Sequence, residues 1–310
     1  MKLAIIILTR NEELHIARAI ESVTGDGLDS KVYVVDSGST DRTLQIARDL
    51  GAEVVTHPWE NYARQFAWAM KHAIGNEPWV MRLDADEVVS PALRSEIARA
   101  ISDAAANTHG FEVNRRHVFM GRWVRHGGRS PLYLLRIWRR GTARIEDRWM
   151  DEHIILETTG EVRKLRGEFL DMNLNDLAFF SDKHVRYATR EAVDQLLQHH
   201  GLLGGRLRAE ESGRQQRLKR WLKMNIYQRL PFEVAVRCYY FWRMVIQLGF
   251  LDGRTGRIYH YLQGYWYRYL VGARVLELRR AIGAASPPEV PGILERLTGL
   301  PIESAGGDKT

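Results

Sequence analysis

The scarcities of this chain narrow its reading first. One cysteine, Cys238, among 310 residues excludes an intramolecular disulfide framework, and no Cys/His spacing of a zinc site occurs. Long apolar runs are missing too. A membrane-spanning helix needs about 20 predominantly apolar residues, and the best stretch, residues 238–251, is shorter and interrupted by Arg243. The opening residues 1–10 contain a short apolar run with no small-residue cleavage site behind it, so a cytoplasmic location is expected. Neither the Gly-x-Gly-x-x-Gly of dinucleotide folds nor the Lys-Ser/Thr of a phosphate loop is present, which counts against NAD and ATP chemistry.

A hydrophobic content of 45% suffices for one substantial core and a smaller appended unit. The net charge of +7 is unevenly spread. Residues 201–285 carry sixteen Lys and Arg against five Asp and Glu, so that segment is +11 and the remainder −4. The same segment holds fourteen of the thirty aromatics. Basic residues interleaved with Trp and Tyr suit an anionic membrane surface, where each surface-facing Lys or Arg adds about 1 kcal/mol. A helical bundle packed on the rest of the protein, or self-association as a homo-oligomer, is the plainer alternative, since apolar residues recur at helical spacing through residues 227–245.

The first hundred residues alternate short apolar runs with helical patterns. Strands are expected at residues 3–8, 31–36, 53–56 and 79–83, with helices at 12–23, 41–50 and 61–74. That order predicts an α/β fold with a mostly parallel sheet. From residue 109 the alternation loosens. Strands are expected at 110–118 and 132–138, separated by a Gly- and Arg-rich mobile loop at 121–129. A long helix follows at 179–200, then helices between 214 and 280, and a loosely ordered tail from residue 286.

Ligands of such sheets sit beyond the carboxyl ends of the strands, and every strand end here is polar. Thr9-Arg10-Asn11-Glu12 follows the first strand, Asp36-Ser37-Gly38-Ser39-Thr40-Asp41 the second, and Asp84-Ala85-Asp86-Glu87 the fourth. Two carboxylates one residue apart at a strand end direct their oxygens to one small volume. A hard divalent cation, Mg2+ or Mn2+, suits that volume and keeps positions open for phosphate oxygens. Asp36, Ser37 and Gly38 read as a turn and helix cap, and equally as carboxylate, hydroxyl and backbone-amide contacts to a nucleotide.

Taken in order, these motifs, with Tyr62-Ala63-Arg64-Gln65, resemble the family 2 glycosyltransferases of GT-A fold, closely over about residues 2–100 and more loosely beyond. Residues 132–141, 150–153 and 249–278 resemble the bacterial branch that builds lipopolysaccharide core and exopolysaccharide. The resemblance implies an inverting transfer from a nucleotide-sugar donor, UDP-sugar first, to a glycan or lipid-linked acceptor. It implies Thr9, Arg10, Asn11, Glu12, Asp36, Ser37, Gly38, Asp84 and Ala85 near the donor, with Arg64 or Gln65 facing the nucleotide, and Asp86 on the metal. Family members place a catalytic carboxylate in a short acidic motif. Glu152 fits that role, with Asp151 second, because an inverting displacement needs a general base at the acceptor hydroxyl. Arg115, Arg116, Arg125, His126 and Arg129 are candidates to grip a diphosphate or an anionic acceptor.

Two other classes compete. A sugar-phosphate nucleotidyltransferase would carry a Gly-rich basic loop after the first strand, where Thr9-Arg10-Asn11-Glu12 has no glycine. A nucleic acid binder would leave the ordered carboxylates unexplained and repelling phosphate, so no nucleic acid partner is expected. The expected plan is a catalytic domain at 1–200, with a donor half to about 115 and an acceptor half at 116–200. A helical membrane-associating or oligomerising region follows at 201–285 and the tail at 286–310, the whole peripheral at the inner face of the cell membrane.

Overall fold

In the computed structural model, which describes residues 2–25, 27–146, 152–202 and 230–302, the apolar opening run forms strand β1 (Leu3–Thr9). Its continuous hydrophobicity reflects helices on both sheet faces. Leu3, Ile5 and Ile7 pack in one cluster with Ile16 and Ile20 of helix α1 (Ile16–Val23). Ala4 and Ile6 point to the opposite cluster, beside Phe66 of helix α3 (Tyr62–Trp68).

Strands β2 (Ser30–Asp36), β3 (Glu53–Thr56) and β4 (Trp79–Arg82) join β1 in parallel, in the order β3-β2-β1-β4, with helix α2 (Thr43–Asp49) crossing between β2 and β3. Asn61 and Ser90 cap the starts of α3 and of helix α4 (Pro91–Ser102), each side chain accepting from the backbone N–H three residues on. The parallel arrangement expected for the first hundred residues is present.

The sheet then continues through β8, β6, β11 and β5. These are β5 (Glu87–Val89), β6 (Thr108–Phe119), β8 (Tyr133–Arg139) and β11 (Glu161–Met172), with β7 (Arg122–Trp123) hairpinned onto β6. β8 runs antiparallel to β4 and β6, β11 runs parallel to β6, and β5 runs antiparallel to β11. A separate pair joins β9 (Ala143–Ile145) to β10 (Ile154–Leu156).

Two expectations need correction. The segment 121–129, expected to be a mobile loop, is tied down: β7 pairs with β6, and the buried Asp252 carboxylate accepts from the backbone N–H of Arg125 and of His126 and lies 2.6 Å from His126 Nδ1. The chain also divides into two compact units. One compact unit runs up to Asn175 and takes in Phe250–Gly256, whereas the other runs from Asp176 to Gly249 and resumes at Arg257. Helix α5 (Leu177–His199), started by the Asp176 side chain, therefore belongs to the second unit.

The tail is likewise ordered from Ser286 to Thr298. Pro287 and Pro288 stand at a helix start, where a missing N–H is harmless, and helix α9 (Val290–Thr298) buries Val290 and Leu294 against Leu196 and Leu278. The second unit also contains helix α6 (Phe232–Phe241) and helix α8 (Tyr267–Ile282), with α7 (Gly253–Tyr261) leading in from the first unit. No helix among the described residues is long and apolar enough to cross a membrane.

Candidate functional site

Thr9 and Asp36 end neighbouring strands and are register partners. Thr9 Oγ1 donates to Asp36 Oδ1 at 3.0 Å, and Asp36 Oδ2 accepts from the backbone N–H of Gly38 and Ser39, each at 2.8 Å. Ser39 Oγ completes the set on Oδ1. Asp36 is fully buried, so it shapes the turn rather than lining an open surface. Gly38 has φ +93°, a conformation that a side chain would strain.

Asn11, with φ +56°, takes Thr40 N–H on Oδ1 at 2.8 Å and gives its own N–H to Ser39 Oγ. Glu12 N–H donates to Thr43 Oγ1, and Glu13 N–H to Asp41. The two strand-end loops are thus sewn together. Arg10, Asn11 and Gly38 are exposed on their rim, Glu12 and Ser37 are half-buried, and Thr9 lies beneath.

Beside them β4 ends in the second half of the site. Asp84 accepts from Tyr62 Oη at 2.5 Å and from Arg82 Nε at 3.2 Å, while Arg82 lies over the Tyr62 ring. Arg136, 4% exposed, donates to Glu87 Oε1 at 2.5 Å and stands 3.5 Å from Asp84, and Glu87 Oε2 accepts Asp84 N–H. Burial alone would raise the Asp84 pKa, yet Arg82 and Arg136 outweigh it and hold the carboxyl well below the usual range. Glu87 goes the other way: burial, helped by nearby Asp84 and Asp171, raises it against the pull of Arg136. Ala85 is buried in the apolar cluster with Leu83 and Val89.

Asp86 is half-buried on the same turn; its Oδ2 accepts from Asn173 Nδ2 at 3.0 Å and its carbonyl from Met172 N–H. Among the described residues no three His, Cys, Asp or Glu side chains group as a metal cage. The donor set fits an ion that arrives with phosphate oxygens, because Mg2+ uses one or two carboxylates in such sites.

Across the sheet, His117 of β6 and Asp171 of β11 are register partners, 2.9 Å apart at Nδ1 and Oδ2, and Asp171 pairs with Glu87 of β5 on its other side. Desolvation works to raise the Asp171 pKa, but the His117 hydrogen bond, with the His117, Arg115 and Arg129 charges, lowers it to about 2. Glu168 pairs with Arg116 at 2.6 Å and accepts from Asn114. Of the basic candidates, Arg115 and Arg116 are thus held by carboxylates, and Arg125 lies over the Trp123 ring.

Gln65 does not face outward: it is 1% exposed and hydrogen-bonded to His57. Arg64 pairs with Glu60 at 2.9 Å. Asp151 lies outside the described residues. Glu152, half-buried, is brought to the carboxylate turn by its carbonyl, which accepts from Arg82 Nη1 at 3.0 Å across 70 residues of sequence. Sequence reasoning missed Arg82, Arg136, Tyr62, His117 and Asp171 as members of this network. Arg82 carried a signal, a charge inside an otherwise apolar strand two residues before Asp84.

The family described as Glycosyl transferase family 2 matches residues 4–160. The lipopolysaccharide core biosynthesis glycosyltransferase LpsC of Rhizobium meliloti is 27% identical over 276 residues, covering 84% of this chain and 90% of that protein. An uncharacterized glycosyltransferase of Rickettsia typhi is 44% identical over 96 residues, so the chain spans about a third (32%) of that relative's length. Among solved structures, the mannosyltransferase PcManGT of Pyrobaculum calidifontis, in complex with GDP-Man and Mn2+, superposes with a TM-score of 0.50 at 14% identity, over 89% of this chain and 87% of that one. The fold is that of the GT-A glycosyltransferases.

Proposed function

The chain belongs to glycosyl transferase family 2, and on that premise we propose that it transfers a sugar from a nucleoside diphosphate sugar, UDP-sugar first, with inversion. The acceptor is a glycan or lipid-linked glycan of the lipopolysaccharide-core or exopolysaccharide class, a reading supported by the similarity to LpsC along most of both chains. The observation that carries the proposal is the Arg82 bridge: one guanidinium binds the Asp84 carboxylate and the Glu152 backbone carbonyl, which supports reading the strand-end acids and the candidate base segment as parts of one site.

In this reading the rim made by Arg10 to Glu12 and Ser37 to Gly38 receives the nucleoside, with buried Thr9 and Asp36 fixing its shape. Asp84 is held ionised and oriented by Arg82, Arg136 and Tyr62, while Asp86 would hold Mg2+ or Mn2+. When bound, that ion would neutralise charge developing on the departing diphosphate. The acceptor hydroxyl attacks the anomeric carbon opposite the diphosphate and gives its proton to the Glu152 carboxylate. The bond from the anomeric carbon to phosphate oxygen breaks, releasing the nucleoside diphosphate.

Glu152→Gln tests the base. General-base catalysis contributes roughly 10²- to 10⁴-fold, so transfer should fall by at least about a hundredfold while titration calorimetry shows unchanged UDP-sugar affinity. Full transfer by the Glu152→Gln variant would move the base to another group, Asp151 being the first to try.

A further inference from the structure

Helix α6 and the π-helical turn after it, Trp242–Ile246, carry their polarity inside out. The charged Arg243 is 2% exposed, its Nε donating to His260 Nδ1 at 2.9 Å and its guanidinium lying over the Tyr259 ring. Gly264 allows this close approach, since a Cβ there would stand 3.0 Å from Arg243 Cδ. The outward face is apolar instead. Val234, Phe241, Trp242, Val245, Ile246 and Leu248 are between 39% and 61% exposed. Positions 234, 238, 241 and 245 recur at helical spacing, so they form a stripe rather than scattered residues. An exposed apolar stripe of this kind marks an interaction surface.

The charges around the stripe choose the occupant. Through the described residues 230–270, every exposed charged side chain is an arginine; on α6 itself Arg237 stands one turn from half-buried Glu233, and the Arg268 guanidinium lies 4.1 Å from the Tyr239 ring of the same helix. Tyr261 and Tyr269, also exposed, add rings with one wet end, as found at membrane interfaces. In sequence, residues 203–229 directly before α6 hold eight Lys and Arg against two Glu. A symmetric pairing of two copies through this face would set arginines against arginines. An anionic bilayer answers both the apolar stripe and the cationic border.

We infer that the outward face of α6 and its π turn inserts peripherally into a lipid bilayer carrying anionic headgroups. This goes beyond the sugar-transfer reading and does not depend on it. The face is interfacial and not spanning, in keeping with the absence among the described residues of any helix able to cross a membrane.

Cys238, the single cysteine of the chain, is exposed within the stripe. A polarity-sensitive fluorophore attached there reports insertion at that face in the full chain. With vesicles of phosphatidylcholine plus phosphatidylglycerol, the emission should shift to the blue and the protein should float with the lipid. Pure phosphatidylcholine vesicles or molar salt should weaken partition roughly tenfold, because the cationic contribution is screened. The double variant Phe241→Ser/Trp242→Ser should lose at least about tenfold in partition with unchanged melting temperature, as neither side chain is buried. No blue shift and no flotation with anionic vesicles would overturn the inference. A blue shift that appears without lipid and grows with protein concentration would also overturn it, by showing that a second copy covers the face. No donor or acceptor is used, so either result leaves the transfer reading to its own test.

Discussion

Asp84 and Asp86 lie one residue apart and have different partners. Asp84 is engaged by Tyr62 and Arg82 and faces Arg136, whereas Asp86 stands at the edge of the turn with Asn173. The sequence made the pair visible, but not the guanidinium groups that engage Asp84, because Arg136 comes from a strand about 50 residues on. Asp171 illustrates charge placement at the same scale. Its carboxyl is lowered to about 2 in the fold, against about 3.9 for an unfolded aspartate. A depressed carboxyl contributes stability that is present above the unfolded value and lost as pH falls through the folded one. Melting temperature of the wild type should therefore fall more steeply between about pH 4 and pH 2 than that of Asp171→Asn, which starts lower at neutral pH. Parallel melting curves for the two proteins across that range would contradict the His117–Asp171 assignment.

Among the elements, those with apolar periodicity were legible and those built on charge pairing were not. β1, β2 and β4 announce themselves because both their faces are buried. β11 reads Glu-Val-Arg-Lys-Leu-Arg-Gly-Glu-Phe-Leu-Asp-Met and shows no apolar alternation, yet this 12-residue strand pairs with β6 on both sides of an irregularity between Lys164 and Glu168. Its acids Glu168 and Asp171 pair with Arg116, Arg115 and His117 across the sheet, so cross-strand charge takes the place of hydrophobic periodicity. The ordered tail was missed for a related reason, since Pro287-Pro288 reads as a breaker until its place at a helix start is known. Gly167 fixes how β11 passes α4. A Cβ there would stand 2.6 Å from Leu93 Cα, and Glu96 accepts from the Gly167 N–H at 2.8 Å. Gly167→Ala should cost about 1–3 kcal/mol, the usual range for overpacking against a backbone that cannot yield. A lower urea midpoint with an unchanged slope would show it; an unchanged midpoint would mean that α4 moves aside freely.

For the whole molecule, the charge asymmetry seen in the sequence maps onto the division into two units. The first unit gathers the ordered acids Asp84, Asp86, Glu87 and Asp171, and the second carries the apolar face of α6 with Arg237 and Arg268. A thermal-shift panel of nucleoside diphosphates and sugar nucleotides, with and without Mn2+, tests the central claim that a nucleotide sugar and a metal at Asp86 bind together. A ligand at 100 times its Kd adds about 2.7 kcal/mol to native-state stability, which corresponds to a rise of roughly 5–10 °C for a domain of this size. The wild type should show that rise with one sugar nucleotide plus Mn2+ and much less without the metal. Asp86→Asn should melt like the wild type without ligand and lose the Mn2+-dependent increment. No response to any sugar nucleotide, or an Asp86→Asn response equal to the wild type, would contradict it.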